Sequence, residues 1–242
     1  MRGWWREITG LVLPVDCGGC GRPRTELCEA CAVQLYGGLP RRVRPDPEPP
    51  GLPVVHAAAA YENAVRAVLL AHKERGVLGL AGALGRALAG AVRAGEGTPL
   101  GEGPLLLVPV PSARRAVAAR GHDPARRIAL AAAAELRRAG MPVRVAAVLR
   151  QRRPVMDQSG LGARERRANL AGALGVVTGG GRLLTTGRVV LVDDLLTTGA
   201  SLAEAARAID GAGGWGSAGY GVRHAAVVAA SPSAFEINRN WN

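Results

Sequence analysis

The run Val189–Ser201, V-V-L-V-D-D-L-L-T-T-G-A-S, constrains the fold of this chain more than any other stretch. Val189 to Val192 are apolar on both alternating faces, so this reads as a strand covered from both sides. Strands of that kind belong to parallel sheets with helices on either face. The apolar run breaks at Asp193-Asp194, where two carboxylates emerge from the core. An unpaired buried acidic pair would be expensive, so these groups are expected to meet solvent, cations or donor hydroxyls. Thr197, Thr198, Gly199, Ala200 and Ser201 follow, and then a helix, Ser201 to Ala212. Small residues let backbone N–H groups close around an anion, hydroxyls add donors, and the helix start adds its positive end. A strand, an Asx-turn and a capped helix would also fit, but a cap needs neither two adjacent acids nor T-T-G-A-S.

The rest of the chain alternates in the same way. Strands are expected at Val54–Tyr61, Leu105–Pro111, Val143–Leu149 and Ala225–Ala230, and helices at Glu62–Lys73, Leu78–Arg93 and Asp123–Gly140. Two segments directly follow a strand, Pro109–Arg115 and Asp193–Ser201, and ligands of parallel sheets sit at such ends. The Arg-rich stretch 150–167 has the composition of a mobile loop. Arg41 to Pro53 reads as a Pro-rich linker, and 231–242 as a loose tail. With 48% apolar residues but 3% aromatics, the core must be built from Ala, Val and Leu.

All four cysteines lie between Cys17 and Cys31, as Cys17-x2-Cys20 and Cys28-x2-Cys31 separated by seven residues. Two C-x-x-C turns can aim four thiolates at one ion, a tetrahedral sulfur set that suits Zn²⁺. The spacer is shorter than the roughly 15–20 residues of a common zinc ribbon. With no open position, such a site reads as structural, pinning a module too small to fold alone. Reduced free thiols or a redox pair are the alternatives.

A formal net charge of +12 points to a polyanionic partner, nucleic acid or phosphorylated ligands. It also fits the arginine excess of a GC-rich genome, since Lys73 is the sole lysine. No apolar stretch approaches the roughly 18–20 residues of a membrane span, and the first residues make a poor signal peptide. A cytoplasmic protein without membrane insertion is expected, and nothing in the residues sets the oligomeric state.

The run Val189–Ser201 resembles the signature by which type I phosphoribosyltransferases bind 5-phosphoribosyl-1-pyrophosphate (PRPP). That resemblance implies a type I phosphoribosyltransferase fold, a parallel sheet flanked by helices. It implies that Asp193 and Asp194 hold the ribose and that Thr197, Thr198, Gly199, Ala200 and Ser201 hold the 5′-phosphate, with Mg²⁺ arriving on PRPP. The four-Cys module, Pro-rich joint and C-terminal motif, in that order, resemble the ComF family of competence-associated proteins. Weaker likenesses lie at Ala71–Gly76, Val108–Pro111, Arg120-Gly121 and the series Gln158, Leu161, Arg164, Arg167, Asn169. His122-Asp123-Pro124 departs from the family's continuation after Arg-Gly. The division that follows is a zinc module at 1–40, a linker at 41–53, a phosphoribosyltransferase-like domain at 54–230 and a tail at 231–242.

By this resemblance Lys73, Ser112, Arg120, Gln158, Arg164 and Arg167 are candidates for holding pyrophosphate or closing over it as a lid. Two functions remain open: transfer of a phosphoribosyl group with pyrophosphate release, or PRPP binding without catalysis in a protein that handles single-stranded DNA during DNA uptake. For base stacking the visible candidates are Trp4, Trp5 and Trp215. The four histidines match no metal or triad spacing.

Overall fold

A computed structural model describes residues 15–96, 103–155, 162–212 and 222–236. Gln158, Leu161 and the three tryptophans above lie outside the described residues.

The elements, in chain order, are α1 (Glu29–Tyr36), β1 (Arg41–Val43), β2 (Val55–Ala60), α2 (Asn63–Lys73), a 3-10 turn at Leu78–Leu80, α3 (Ala81–Glu96) and β3 (Leu105–Pro109). Next come α4 (Arg114–Arg120), α5 (Pro124–Arg138), β4 (Val143–Val145), β5 (Leu149–Gln151), α6 (Ala163–Leu170) and β6 (Leu174–Val176). The chain continues through α7 (Gly180–Leu184), β7 (Arg188–Leu196), α8 (Ala200–Asp210), β8 (His224–Ala230) and α9 (Ser233–Glu236).

The protein is α/β. Its central sheet has the order β1-β2-β8-β7-β3-β4, parallel throughout except for the edge strand β1, and a separate antiparallel pair joins β5 to β6. Side chains alternate along each buried strand. Leu105 and Leu107 of β3, with Val190 and Val192 of β7, enter the layer formed with α2, α3 and α5. Leu106, Val108, Val189 and Leu191 enter the opposite layer, with α8 and the β5/β6 pair. Both faces are therefore dry, as the unbroken apolar runs required. With so few aromatics, close approach replaces bulk: a Cβ at Gly85 of α3 would lie 2.4 Å from the Ala131 Cβ of α5.

Several segments differ from expectation. The strand expected at Val143–Leu149 is two strands in two sheets; Ala146 N–H still donates to Leu107 C=O at 2.9 Å before the chain leaves for β5. The described ends of the Arg-rich loop are ordered as β5 and α6, and residues 156–161 lie outside the described set. Arg41–Val43 of the expected linker pairs antiparallel with β2. In the expected tail, α9 buries Ala234 and Phe235, and the Arg41 guanidinium lies over the Phe235 ring at 4.5 Å. These pieces are too short for periodicity to signal, and burial of the single phenylalanine supplies what local propensity does not. Among the described residues no helix is long and apolar enough to cross a membrane.

Candidate functional site

After β3 the chain crosses to β4 on one side; after β7 it crosses to β8 on the other. The crevice beyond the carboxyl ends of these two adjacent strands is thus a topological switch point, where open α/β sheets bind ligands. Pro109 pairs in register with Val192, so the two segments that follow the strands open side by side. Between them lies a cavity of about 1010 Å³ whose lining includes Lys73, Ser112, Arg120, Asp193, Asp194 and Thr197.

The acidic pair lies within β7, which runs on to Leu196, and the two carboxylates leave the strand on opposite sides. Asp194 is buried and takes a hydrogen-bonded ion pair from Lys73 Nζ at 2.7 Å. Asp193 is partly buried, and its Oδ1 accepts the Asp194 N–H at 2.8 Å. Loss of hydration and the adjacent Asp194 charge push the Asp193 carboxyl well above the ordinary carboxylate range, against the pull of Lys73. Desolvation lowers the Lys73 ammonium, but the charge and hydrogen bond of Asp194 outweigh it, and its pKa is raised. The cation expected from first principles is therefore a residue of the chain, delivered by the last turn of α2.

Beyond β7, the stretch Thr197–Gly199 turns into α8. Gly199 has φ +73°, a left-handed conformation, and a Cβ there would sit 3.1 Å from Leu52 and 3.2 Å from Pro49. Glycine is thus required twice, by its own backbone and by the Pro-rich segment packed behind it. No side chain caps α8. Its first-turn N–H groups stand beside the hydroxyls of Thr197 and Ser201 in a small hollow at the end of β7. This arrangement can hold an anion beside two carboxylates able to engage hydroxyls.

The remaining sequence candidates divide. Ser112 lines the cavity, and its N–H is 3.4 Å from the Asp123 carboxylate, which also caps α5 through Arg126 N–H at 3.1 Å. Arg120 pairs with Glu74 at 3.3 Å. Arg164 and Arg167 are exposed on α6. The arginine of that helix that reaches the Thr197–Ser201 loop is Arg166, which donates to Thr197 Oγ1 at 3.1 Å and lines the cavity with Leu170. The i, i+4 spacing of Arg166 and Leu170 was the available signal, because it puts both on the inward face. Gln158 lies outside the described residues.

The buried His72 and the half-buried His122 stand together behind Lys73. His72 is fully buried, its Nδ1 3.3 Å from Val77 C=O, and its ring is 5.6 Å from that of His122. Burial lowers the His72 pKa.

The four cysteines bring their sulfurs within 4.8 Å of one another, with Cys20 and Cys28 3.6 Å apart. Tetrahedral Zn²⁺ with bonds of about 2.3 Å needs sulfurs about 3.8 Å apart, so the set fits a metal such as zinc. Cys28 N–H donates to Cys17 Sγ at 3.3 Å. Burial raises the Cys17 thiol, but N–H groups of Cys20, Cys28 and Gly19 outweigh it and lower it to about 6. The Cys31 N–H lowers Cys28, whereas burial and the neighbouring sulfurs push Cys31 far up. A bound cation would favour the thiolate at Cys31 as well. A Cβ at Gly19 would lie 2.7 Å from Cys31 Sγ, so only glycine fits the knuckle.

The fold and site thus define an α/β protein with a mostly parallel sheet, a polar cavity at its switch point and an N-terminal four-cysteine cluster. No protein-family model matches the chain, and no curated protein matches it.

Proposed function

We propose that this chain is a ComF-like, type I phosphoribosyltransferase-like protein that binds Mg²⁺–PRPP and transfers its phosphoribosyl group to an acceptor. The observation that carries this reading is one cavity uniting the Asp193/Asp194 pair with the Thr197–Ser201 loop. In it, the loop and the first turn of α8 hold the 5′-phosphate, and the two aspartates hold the vicinal ribose hydroxyls. Lys73, paired with Asp194 at 2.7 Å, holds that carboxylate in place for this purpose.

Transfer breaks the bond from C1′ to pyrophosphate oxygen, and the electron pair departs with pyrophosphate. A lone pair of the acceptor forms the new bond to C1′. Positive charge grows on the ribose in between, and the acidic pair lies where it counters that charge. Magnesium is held chiefly by substrate oxygens and water, so it asks little of the protein. Zinc on the four cysteines serves to hold the N-terminal segment together.

Calorimetry with Mg²⁺–PRPP tests the site. Asp193→Ala/Asp194→Ala is expected to weaken binding about a hundredfold or more, by loss of charge-assisted hydrogen bonds. Unchanged affinity in the double variant overturns the proposal. Pyrophosphate release measured against a panel of nitrogenous bases then separates transfer from sensing.

A further inference from the structure

Beside the main cavity lies a second one of about 480 Å³, lined by Arg114 and Arg115 at the start of α4 and by Arg152, Arg153, Pro154 and Val155 after β5. The two cavities share Ala113, Arg115, Gln151 and Val155, so they are continuous. A volume of that order suits a small molecule.

Some arginines of the chain meet acids: Arg44 with Glu48, Arg120 with Glu74, Arg188 with Glu96, Arg207 with Glu204. Among the described residues, Arg114, Arg115 and Arg152 form no ion pair. They converge from two separate elements on one hollow, which concentrates positive potential in a way that a scattered solvated face does not. Arg153 differs, because its guanidinium donates to the carbonyls of Asn169 at 2.9 Å and Ala171 at 2.8 Å and so fixes the wall. Arg152 packs against Gly175, where a Cβ would be 2.6 Å from its Cδ. Pro154, Val155 and Ala113 supply an apolar surface for a ring.

We propose that this groove is the acceptor site and that it selects a small ring-bearing anion, with a phosphate or carboxylate on Arg114, Arg115 and Arg152 and its nucleophile directed past Gln151 into the main cavity. This rests on the phosphoribosyl-transfer reading above, and it adds the acceptor's charge. A polynucleotide is the less favoured occupant, because the hollow, about 480 Å³ and joined to the main cavity, is of a size that suits a small molecule.

The test titrates phenyl phosphate, benzene-1,2-dicarboxylate and a ten-nucleotide oligothymidylate into the full chain, with and without saturating Mg²⁺–PRPP. The wild type is compared with Arg114→Gln and Arg152→Gln. Both positions are exposed, and thermal melts check that each variant folds as the wild type does. At least one small aromatic dianion is expected to bind the wild type, with affinity falling about tenfold in each variant. PRPP affinity is expected to stay unchanged. The phosphate and carboxylate probes then tell which anion is preferred. Absence of binding by both small anions, or equal affinity in wild type and variants, overturns the proposal. So does oligothymidylate binding that depends on these arginines while the small anions fail. If PRPP does not bind but the anions do so through Arg114 and Arg152, the transfer reading fails while the anion site stands.

Discussion

Replacing Lys73 with methionine keeps the length of the side chain and, among the described residues, removes the only cation bonded to the acidic pair. At 2.7 Å and an effective dielectric of about 20, the Lys73–Asp194 attraction is about 6 kcal/mol before desolvation is counted. Much of that is offset, since Asp194 is 7% exposed and was stripped of water, while Lys73, at 34%, is still screened by it. The net loss in Lys73→Met is therefore set at about 2 kcal/mol, below the usual cost of stranding one partner of a fully buried pair. For a chain of this size that is a fall of about 4–8 °C in Tm. Asp194→Asn is expected to cost less, because Lys73 can turn to water and Asp193 is freed of a like charge beside it. Urea unfolding at pH 7, with slopes checked for equality, measures both. The Lys73→Met deficit should narrow as pH falls and Asp193, whose carboxyl lies well above the ordinary range, takes up a proton. A loss under about 0.5 kcal/mol in Lys73→Met, or a larger loss in Asp194→Asn, would refute the reasoning.

Gly199→Ala forces an L residue to φ +73° and presses Leu52 and Pro49; a loss of about 1–2 kcal/mol in urea melts, with weaker PRPP binding, is expected. His224 is held by burial to about 4, against 6.5 unfolded. Because its folded pKa is depressed, the stability it supports is complete above pH 6.5 and drains away as pH falls toward 4, by up to about 3 kcal/mol. Stability measured across that window should show a shallower acid slope in His224→Gln. Metal analysis of the purified chain should give one zinc per chain, lost in Cys17→Ser or Cys31→Ser, and chelation should expose the segment around α1 to proteolysis.

The sequence by itself determined what can be read locally. The abrupt end of an apolar strand in Asp193-Asp194, the small residues after it and the paired C-x-x-C turns each announce their chemistry within a few residues, because a strand, a phosphate-sized loop and a metal knuckle are all short-range objects. Alternating strand and helix signals were enough for a parallel α/β sheet. Only the tertiary structure decided what meets what. That β3 lies beside β7, making the switch point, follows from strand order, which side-chain periodicity does not encode. Lys73 reaches Asp194 across 121 residues of chain, and Arg166, rather than its neighbours Arg164 and Arg167, turns inward because α6 docks through Leu170. Arg114 and Arg152 share a groove for the same reason: the chain leaves β4 for a second small sheet. Such meetings depend on the packing of whole layers. They are chosen by the free energy of burying both faces of the sheet at once, not by the residues on either side of each group in the chain.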